Sequence, residues 1–227
     1  RKGLVIYDEK HGNFIPVNQD IMYSSLCISD GILFGSENRI YKYDYKQCSF
    51  KSISIKNQED TGNDITKYRV QKIIAFSERE ALVATRRDGV YVLDYQAMRL
   101  KRLFSGSNNI LQGAYLSSNG YIYLSFWGQG LFCYEKTGKF IKRYTKENSD
   151  LTNNYVLDIV EKEGCLWLAT DGGGINRLEL SNENFSNLCH IAGDENSLPV
   201  NSVTLLYQDR NKGLWAGSVR GGVFNIK

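Results

Sequence analysis

Proline and histidine are scarce in this sequence, with 2 of each in 227 residues. Two histidines, with no pattern of ligand spacing around either, leave little material for a zinc site or a catalytic triad. The five cysteines (Cys27, Cys48, Cys133, Cys165, Cys189) are odd in number and contain no C-x-x-C pair. Each stands in or beside an apolar run and reads as a small hydrophobe buried in a strand. Neither a metal nor a cofactor is expected.

Long apolar runs are also missing. Nothing approaches 18 residues, and the opening "RKGLVIYDEKHG" is too short in its apolar part for a signal peptide, so no membrane contact by this segment is expected. The absence of an initiating Met reads as a mature or excised piece. Charge of one sign is lacking too: 28 basic residues oppose 25 acidic ones along the whole chain, a net +3 without a basic stripe, which argues against a nucleic-acid partner. No stretch of eleven or more residues keeps apolar side chains at helical spacing behind a cap.

What is present is aromatic and periodic. Fifteen Tyr and 10 Phe favour strands. Taking "LWLATDGGGINRL" (166–178) as a template, "LWAGSVRGGVFNI" (214–226), "IYLSFWGQGLFCY" (122–134) and "ALVATRRDGVYVL" (81–93) align without a gap. "ILFGSENRIYKY" (32–43) fits with a loop one residue shorter, and "GLVIYD" opens the chain as a half copy. The positions equivalent to Thr170 are Ser36, Thr85, Phe126 and Ser218, so the spacing is that of a propeller blade. Within a unit, "NYVLDIV", "CLWLAT", "INRLEL" and "FSNLCHI" read as four antiparallel strands A to D. Asp30-Gly31, Asn119-Gly120, Glu163-Gly164 and Lys212-Gly213 make the A-to-B hairpins.

One such sheet cannot bury both of its faces alone, so the units must stack radially. The expected fold is all-β, a β-propeller of four-stranded antiparallel blades, incomplete at about five blades. Residues 1–227 read as a single propeller segment with blades near 1–20 (partial), 21–56, 68–105, 110–146, 153–192 and 200–227 (partial). Strand A lines the axis, and the B-to-C and D-to-A connections emerge on one face.

The triple glycine 172–174 therefore lies in a B-to-C connection. A P-loop would need Gly-Lys-Ser/Thr leading into a helix, whereas here a strand follows. Its last glycine recurs as Gly89, Gly130, Gly174 and Gly222, which points to a backbone at positive φ or in close approach to a neighbouring blade.

"NNYVLDIVEKEGCLWLATDGGGINRL" and "VNSVTLLYQDRNKGLWAGSVRGGVFNI" resemble the two-component regulator propeller repeat, with its Asn-x-Val start, acidic-x-x-Gly hairpin, Leu-Trp-Ile-Gly-Thr and closing Gly-Gly-Leu. From residue 148 onward the match is specific; before it, Ile122-Tyr123 and Ala81-Leu82 stand where Leu-Trp is expected. The resemblance implies the periplasmic sensor region of a hybrid histidine kinase of glycan-degrading gut bacteria. That architecture has two seven-bladed propellers, a β-sandwich, a membrane helix and cytoplasmic kinase and regulator domains. It implies an oligosaccharide ligand, control of polysaccharide-utilisation genes, and the remaining blades and second propeller of the parent chain as partners. The chain reads as a piece of a seven-bladed propeller, with four complete blades and a partial one at each end. Open blade faces then predict self-association through exposed edges, or closure by pairing of the partial blades.

Three function classes follow. A non-catalytic binding module would use amides, carboxylates, guanidiniums and aromatic faces on the loop face. The candidates are Arg86, Arg87, Asp88, Trp127, Gln129, Asp171 and Arg220 in B-to-C loops, with Asn154, Tyr155 and Asn201 in D-to-A loops. Trp167 and Trp215 hold a repeated core position and read as packing residues. A glycosidase would need two carboxylates, and the innermost runs offer only Asp158. A lyase would need a central His, but His11 falls in an outer turn and His190 in an outermost strand, so no catalytic residue is expected. A protein-interaction scaffold is the third class.

Overall fold

A computed structural model describes residues 3–17, 19–55, 68–105 and 109–226, so blade limits at residues 1, 56 and 227 lie outside the described residues. Among the described residues the strands form six antiparallel sheets, each a meander in chain order. β1 (Val5–Asp8) and β2 (Asn13–Pro16) make a hairpin. Blade 1 comprises β3 (Ser24–Ile28), β4 (Gly31–Gly35), β5 (Arg39–Asp44) and β6 (Ser49–Ser54). Blade 2 comprises β7 (Val70–Ala75), β8 (Glu80–Thr85), β9 (Gly89–Asp94) and β10 (Arg99–Ser105). These strands belong to a first compact unit, residues 1–108.

The second unit, residues 109–227, holds the other three sheets. Blade 3 is β11 (Leu111–Leu116), β12 (Tyr121–Phe126), β13 (Gly130–Glu135) and β14 (Phe140–Tyr144). Blade 4 is β15 (Val156–Lys162), β16 (Cys165–Thr170), β17 (Ile175–Glu179) and β18 (Phe185–Leu188). Blade 5 has three strands among the described residues: β19 (Val203–Gln208), β20 (Leu214–Ser218) and β21 (Gly222–Ile226). The fold is all-β, and its sheets are propeller blades. Within the first unit β3 packs beside β7, and within the second β11 packs beside β15 and β15 beside β19.

The burial pattern explains the sequence pattern. A B strand is covered on both faces and therefore reads as an unbroken apolar run. β8, β12 and β16 are buried over almost their whole length. D strands lie at the outer edge, and β10 carries Arg99, Lys101 and Arg102 exposed, a charge pattern that discourages edge pairing. In the first unit the core gathers Leu33, Ile40, Tyr68, Val70, Val83 and Leu93. In the second, Leu131, Val156, Leu166 and Leu168 fill the seam of blades 3 and 4, and Ile175, Val203, Leu214 and Ala216 that of blades 4 and 5.

A β-bulge recurs at one place in four A strands. Val70 and Lys72 face consecutive residues Thr85 and Ala84, leaving Gln71 as the extra residue, and the same shift occurs at Gln112, Leu157 and Thr204. The bulge sharpens the local twist where the chain enters the blade.

Three expectations need correction. Cys133 and Cys165 are buried, but Cys27 and Cys48 are exposed and Cys189 is intermediate; all five are free thiols. Cys48 lies in a C-to-D turn at φ +48, outside any core. Trp167 packs against the core of blades 4 and 5, as a packing residue should, whereas Trp215 is 38% exposed. Its indole N–H donates to Asp209 Oδ2 at 2.8 Å, on a face it shares with exposed Leu205, Tyr207 and Val223. His190 follows the end of β18 and is not in a strand, its Nδ1 2.7 Å from the Leu198 carbonyl.

Candidate functional site

The B-to-C loops are built around one hydroxyl. Thr170 Oγ1 donates to the Gly174 carbonyl at 2.8 Å, and the equivalent bonds run from Thr85 to Gly89 (2.7 Å), Ser218 to Gly222 (3.0 Å) and Ser36 to Arg39 (3.1 Å). The four repeated glycines all sit at positive φ, as their recurrence requires. At Gly174 the need is twofold: φ is +73, and a Cβ would lie 2.1 Å from the Leu188 carbonyl oxygen. The close approach is to strand D of its own blade, not to a neighbouring blade. The triple glycine is a structural turn tied to the next blade, since the Gly172 and Gly174 amides donate to the Asn201 carbonyl at 3.1 and 2.8 Å.

Blade 3 lacks the hydroxyl, because Phe126 stands at its position. Its loop is held from outside instead. Arg143 on β14 donates through Nε to the Gln129 carbonyl (2.6 Å) and through Nη2 to the Gln129 side-chain oxygen (3.0 Å). The Gly130 amide donates to the Asn154 carbonyl of the next D-to-A connection at 2.8 Å. These ties turn the Trp127 ring outward, beside Tyr155. The two rings are 5.1 Å apart at 77°, and Trp127 is 48% and Tyr155 40% exposed. Tyr155 lies against Gly128, whose missing side chain leaves room for the phenol ring. An open corner of two perpendicular aromatic faces results.

Most of the polar candidates around this corner are committed to the fold. The Asn154 carboxamide accepts from the Lys146 amide (2.9 Å) and donates to the Glu147 carboxylate (3.1 and 3.3 Å). Hydrogen bonds from Asn154 and Thr145 hold the Glu147 carboxyl below its ordinary range. Asp171 Oδ1 accepts from Ser202 Oγ at 2.6 Å, and the Asp171 amide donates to the Tyr155 carbonyl. Asn201 Oδ1 accepts from the His190 amide at 2.6 Å. Arg220, at φ +66, is exposed at the tip of its loop.

In the first unit, Arg86 and Arg87 are partly buried, and Asp88 is closed off. Its carboxylate accepts from the Tyr91 hydroxyl and from Arg102 Nη2 (2.9 Å), and Arg102 also donates to the Tyr91 oxygen at 2.6 Å. Burial first, and then Asp88, push the Tyr91 phenol well above its usual range.

Sequence reasoning missed Arg143, Asn153 and Asn176. Asn153 Nδ2 donates to the Asp171 carbonyl (2.7 Å), while its Oδ1 accepts from the Tyr155 amide (2.8 Å). Asn176, wholly buried, accepts from the Thr152 amide (2.9 Å) and donates to Thr152 Oγ1 (2.7 Å). No sequence signal sets it apart, because Arg177 and Glu179 make the C strand "INRLEL" polar at other positions too. Asp158, the acid singled out on the inner strands, accepts the Leu206 backbone N–H of blade 5 at 3.0 Å. No cluster of three or more His, Cys, Asp or Glu residues suited to a metal is present among the described residues. No described helix is long and apolar enough to cross a membrane.

The family model of the two-component regulator propeller matches residues 150–172 and 197–220, the stretches that run from the D-to-A connection into the B-to-C loop in blades 4 and 5. These two segments resemble two-component regulator propeller repeats. Among solved structures, the chain resembles the extracellular domain of the hybrid two component system BT3049 from B. thetaiotaomicron (TM-score 0.72, 19% identity, 93% of this chain and 29% of that one). It also resembles the extracellular domain of the hybrid two component system BT4673 of the same organism (TM-score 0.59, 15% identity, 100% and 37%) and the U3-55K structure (0.68, 12%, 92% and 62%). At these identities the likeness shows the propeller fold, and the chain spans about a third of the two bacterial domains. No curated protein sequence matches the chain.

Proposed function

We propose that this chain is a non-catalytic, ligand-binding part of the sensor propeller of a hybrid two-component system, acting outside the cytoplasmic membrane and reading an oligosaccharide. The family-model matches at 150–172 and 197–220 support the sensor class, and the resemblance to extracellular domains of such systems supports the location. The observation that carries the ligand class is the Trp127–Tyr155 corner. Two exposed perpendicular rings offer one face to the C–H side of a sugar and a second to its edge. The hydrogen-bonded Gln129 and Asn154 beside it hold the corner in place, which keeps the ordering cost of binding low. The non-catalytic reading is favoured by Asp158, whose carboxylate binds a backbone amide of the next blade. On this reading the bound sugar controls polysaccharide-utilisation genes through a kinase carried by the parent protein.

A thermal-shift screen of the chain with a panel of neutral and acidic oligosaccharides tests the proposal. A ligand at a hundredfold excess over its Kd stabilises by about 2.7 kcal/mol, roughly 5–10 °C for a chain of this size. Trp127→Ala and Tyr155→Ala should each abolish that shift. A shift that persists in both variants, or a panel with no hit, would overturn it.

A further inference from the structure

One register position can be compared across two seams, one in each unit. In the first, Lys42 on β5 pairs with Leu33 on β4 and is only 6% exposed. Its ammonium donates to Asp30, in the A-to-B hairpin of its own blade, at 2.7 Å and lies 5.6 Å from the centre of the Tyr95 ring of blade 2. Long side chains occupy the seam at this point.

In the seam between blades 3 and 4 the equivalent residues are shorter. Cys133, paired with Tyr123, takes the position of Lys42, Leu180 takes that of Tyr95, and Asn119, in the A-to-B hairpin, stands one position before the equivalent of Asp30. A cavity of about 190 Å³ lies at this point, bounded by Asn119, Tyr123, Cys133, Lys142, Tyr144 and Glu183 among others. Its inner wall is Tyr123 and Cys133, both almost fully buried, and the Tyr123 oxygen accepts from Asn119 Nδ2 at 3.3 Å. At the partly exposed side Lys142 pairs with Glu183 and stands 5.1 Å from the centre of the Tyr144 ring. Burial pushes the Tyr123, Tyr144 and Cys133 groups up, so all three stay protonated at neutral pH, and the Lys142–Glu183 charges cancel.

The cavity thus combines phenol hydroxyls and a carboxamide with the paired Lys142 and Glu183 and a second carboxylate, Glu179, which accepts from Ser181 Oγ (3.3 Å) and Asn182 Nδ2 (3.1 Å), a lining that disfavours an anion and offers donors and acceptors to hydroxyl groups. Its volume equals about six waters at ~30 Å³ each. It falls below the roughly 300–1,000 Å³ of pockets for drug-sized ligands, which limits an occupant to a single ring. We propose that the seam between blades 3 and 4 binds one small neutral polyol of monosaccharide size, at a site separate from the aromatic corner.

Saturation-transfer NMR of the 227-residue chain with myo-inositol and D-glucose as probes tests this. At least one should give a saturable signal, and Tyr123→Phe should weaken it about two- to tenfold through loss of a hydrogen bond. The triple variant Cys133→Lys, Asn119→Asp, Leu180→Tyr approximates the occupied seam and should abolish the signal. If that variant does not fold, Cys133→Leu narrows the cavity from its inner end and should have the same effect. Trp127→Ala should leave this signal intact even though it removes oligosaccharide binding, so the two sites fail separately. No saturable signal for the unaltered chain, or a signal that survives the filling variants, would refute the proposal.

Discussion

The seam between blades 1 and 2 and the seam between blades 4 and 5 share a frame but differ in the groups that close it. Near the inner edge, Ser24 Oγ accepts the Ile73 amide at 2.9 Å, and Asp158 Oδ2 accepts the Leu206 amide at 3.0 Å. Ser24 pairs with Gly35 and Asp158 with Ala169, equivalent partners in the repeat, so one backbone donor is answered once by a hydroxyl and once by a carboxylate. At the loop face the contrast widens. Glu37 accepts from Tyr23 (2.7 Å) and Arg69 (3.2 Å), and Arg69 lies 4.2 Å from the centre of the Tyr23 ring. In the other seam the Gly172 and Gly174 amides bond to the Asn201 carbonyl. The backbone groups to be satisfied are constant, while the side chains that satisfy them are interchangeable.

The largest effect should come from Gly174→Ala, which strikes the seam whose loop closure is mainly backbone. The substitution meets both an unfavourable φ of +73 and a carbonyl oxygen 2.1 Å from the new Cβ. A cost of about 3 kcal/mol or more is expected, lowering Tm by roughly 6–12 °C in a thermal melt. Alanine at Gly172, where φ is +92 but the nearest atom is 3.6 Å away, should cost only about 1 kcal/mol. Equal losses at the two positions would show that steric approach to strand D plays no part.

A smaller difference should separate the two inner latches. Asp158→Ala leaves the buried Leu206 amide without its charged acceptor and should cost about 1.5–3 kcal/mol. Ser24→Ala removes a neutral acceptor from the Ile73 amide and should cost about 0.5–1.5 kcal/mol. Urea melts of both variants measure the gap, and a Ser24 variant as unstable as the Asp158 variant would remove the distinction.

The same interchangeability explains how much the sequence revealed. The blade frame was legible because doubly covered B strands must be apolar throughout, as in "LWLAT" and "ALVAT", and because each Gly89-type turn needs its glycine. The loop candidates were not separable in this way. Gln129, Asn154, Asp171 and Asn201 have the chemistry of ligand contacts, yet each is engaged by a neighbouring donor or acceptor that sequence spacing does not reveal. Arg143 was invisible for the converse reason: on an outer D strand it looks like a solvated cation, but it replaces the hydroxyl that Phe126 lacks. Trp127 and Tyr155 come from different blades, and hydrogen bonds such as that from the Gly130 amide to the Asn154 carbonyl bring their rings together.

The smallest expected effect is also the one that separates the seams by pH. Burial alone would push the Glu37 carboxyl up, but the Tyr23 hydroxyl and the Arg69 guanidinium outweigh it and hold the group below its ordinary 4.5. A carboxyl whose pKa is lowered by folding stabilises the native state above its unfolded value, and that stability is lost as pH falls below 4.5 through the folded value. Because Glu37 and Arg69 are both partly exposed, the contribution should stay under about 1 kcal/mol. Glu37→Gln should therefore destabilise the chain slightly at pH 7 and not at pH 3, whereas the deficit of Gly172→Ala, in the seam tied through the Asn201 carbonyl, should be the same at both. Melts at the two pH values distinguish the cases: a Glu37→Gln deficit that persists unchanged at pH 3 would mean that the carboxyl acts there through packing and not through its charge.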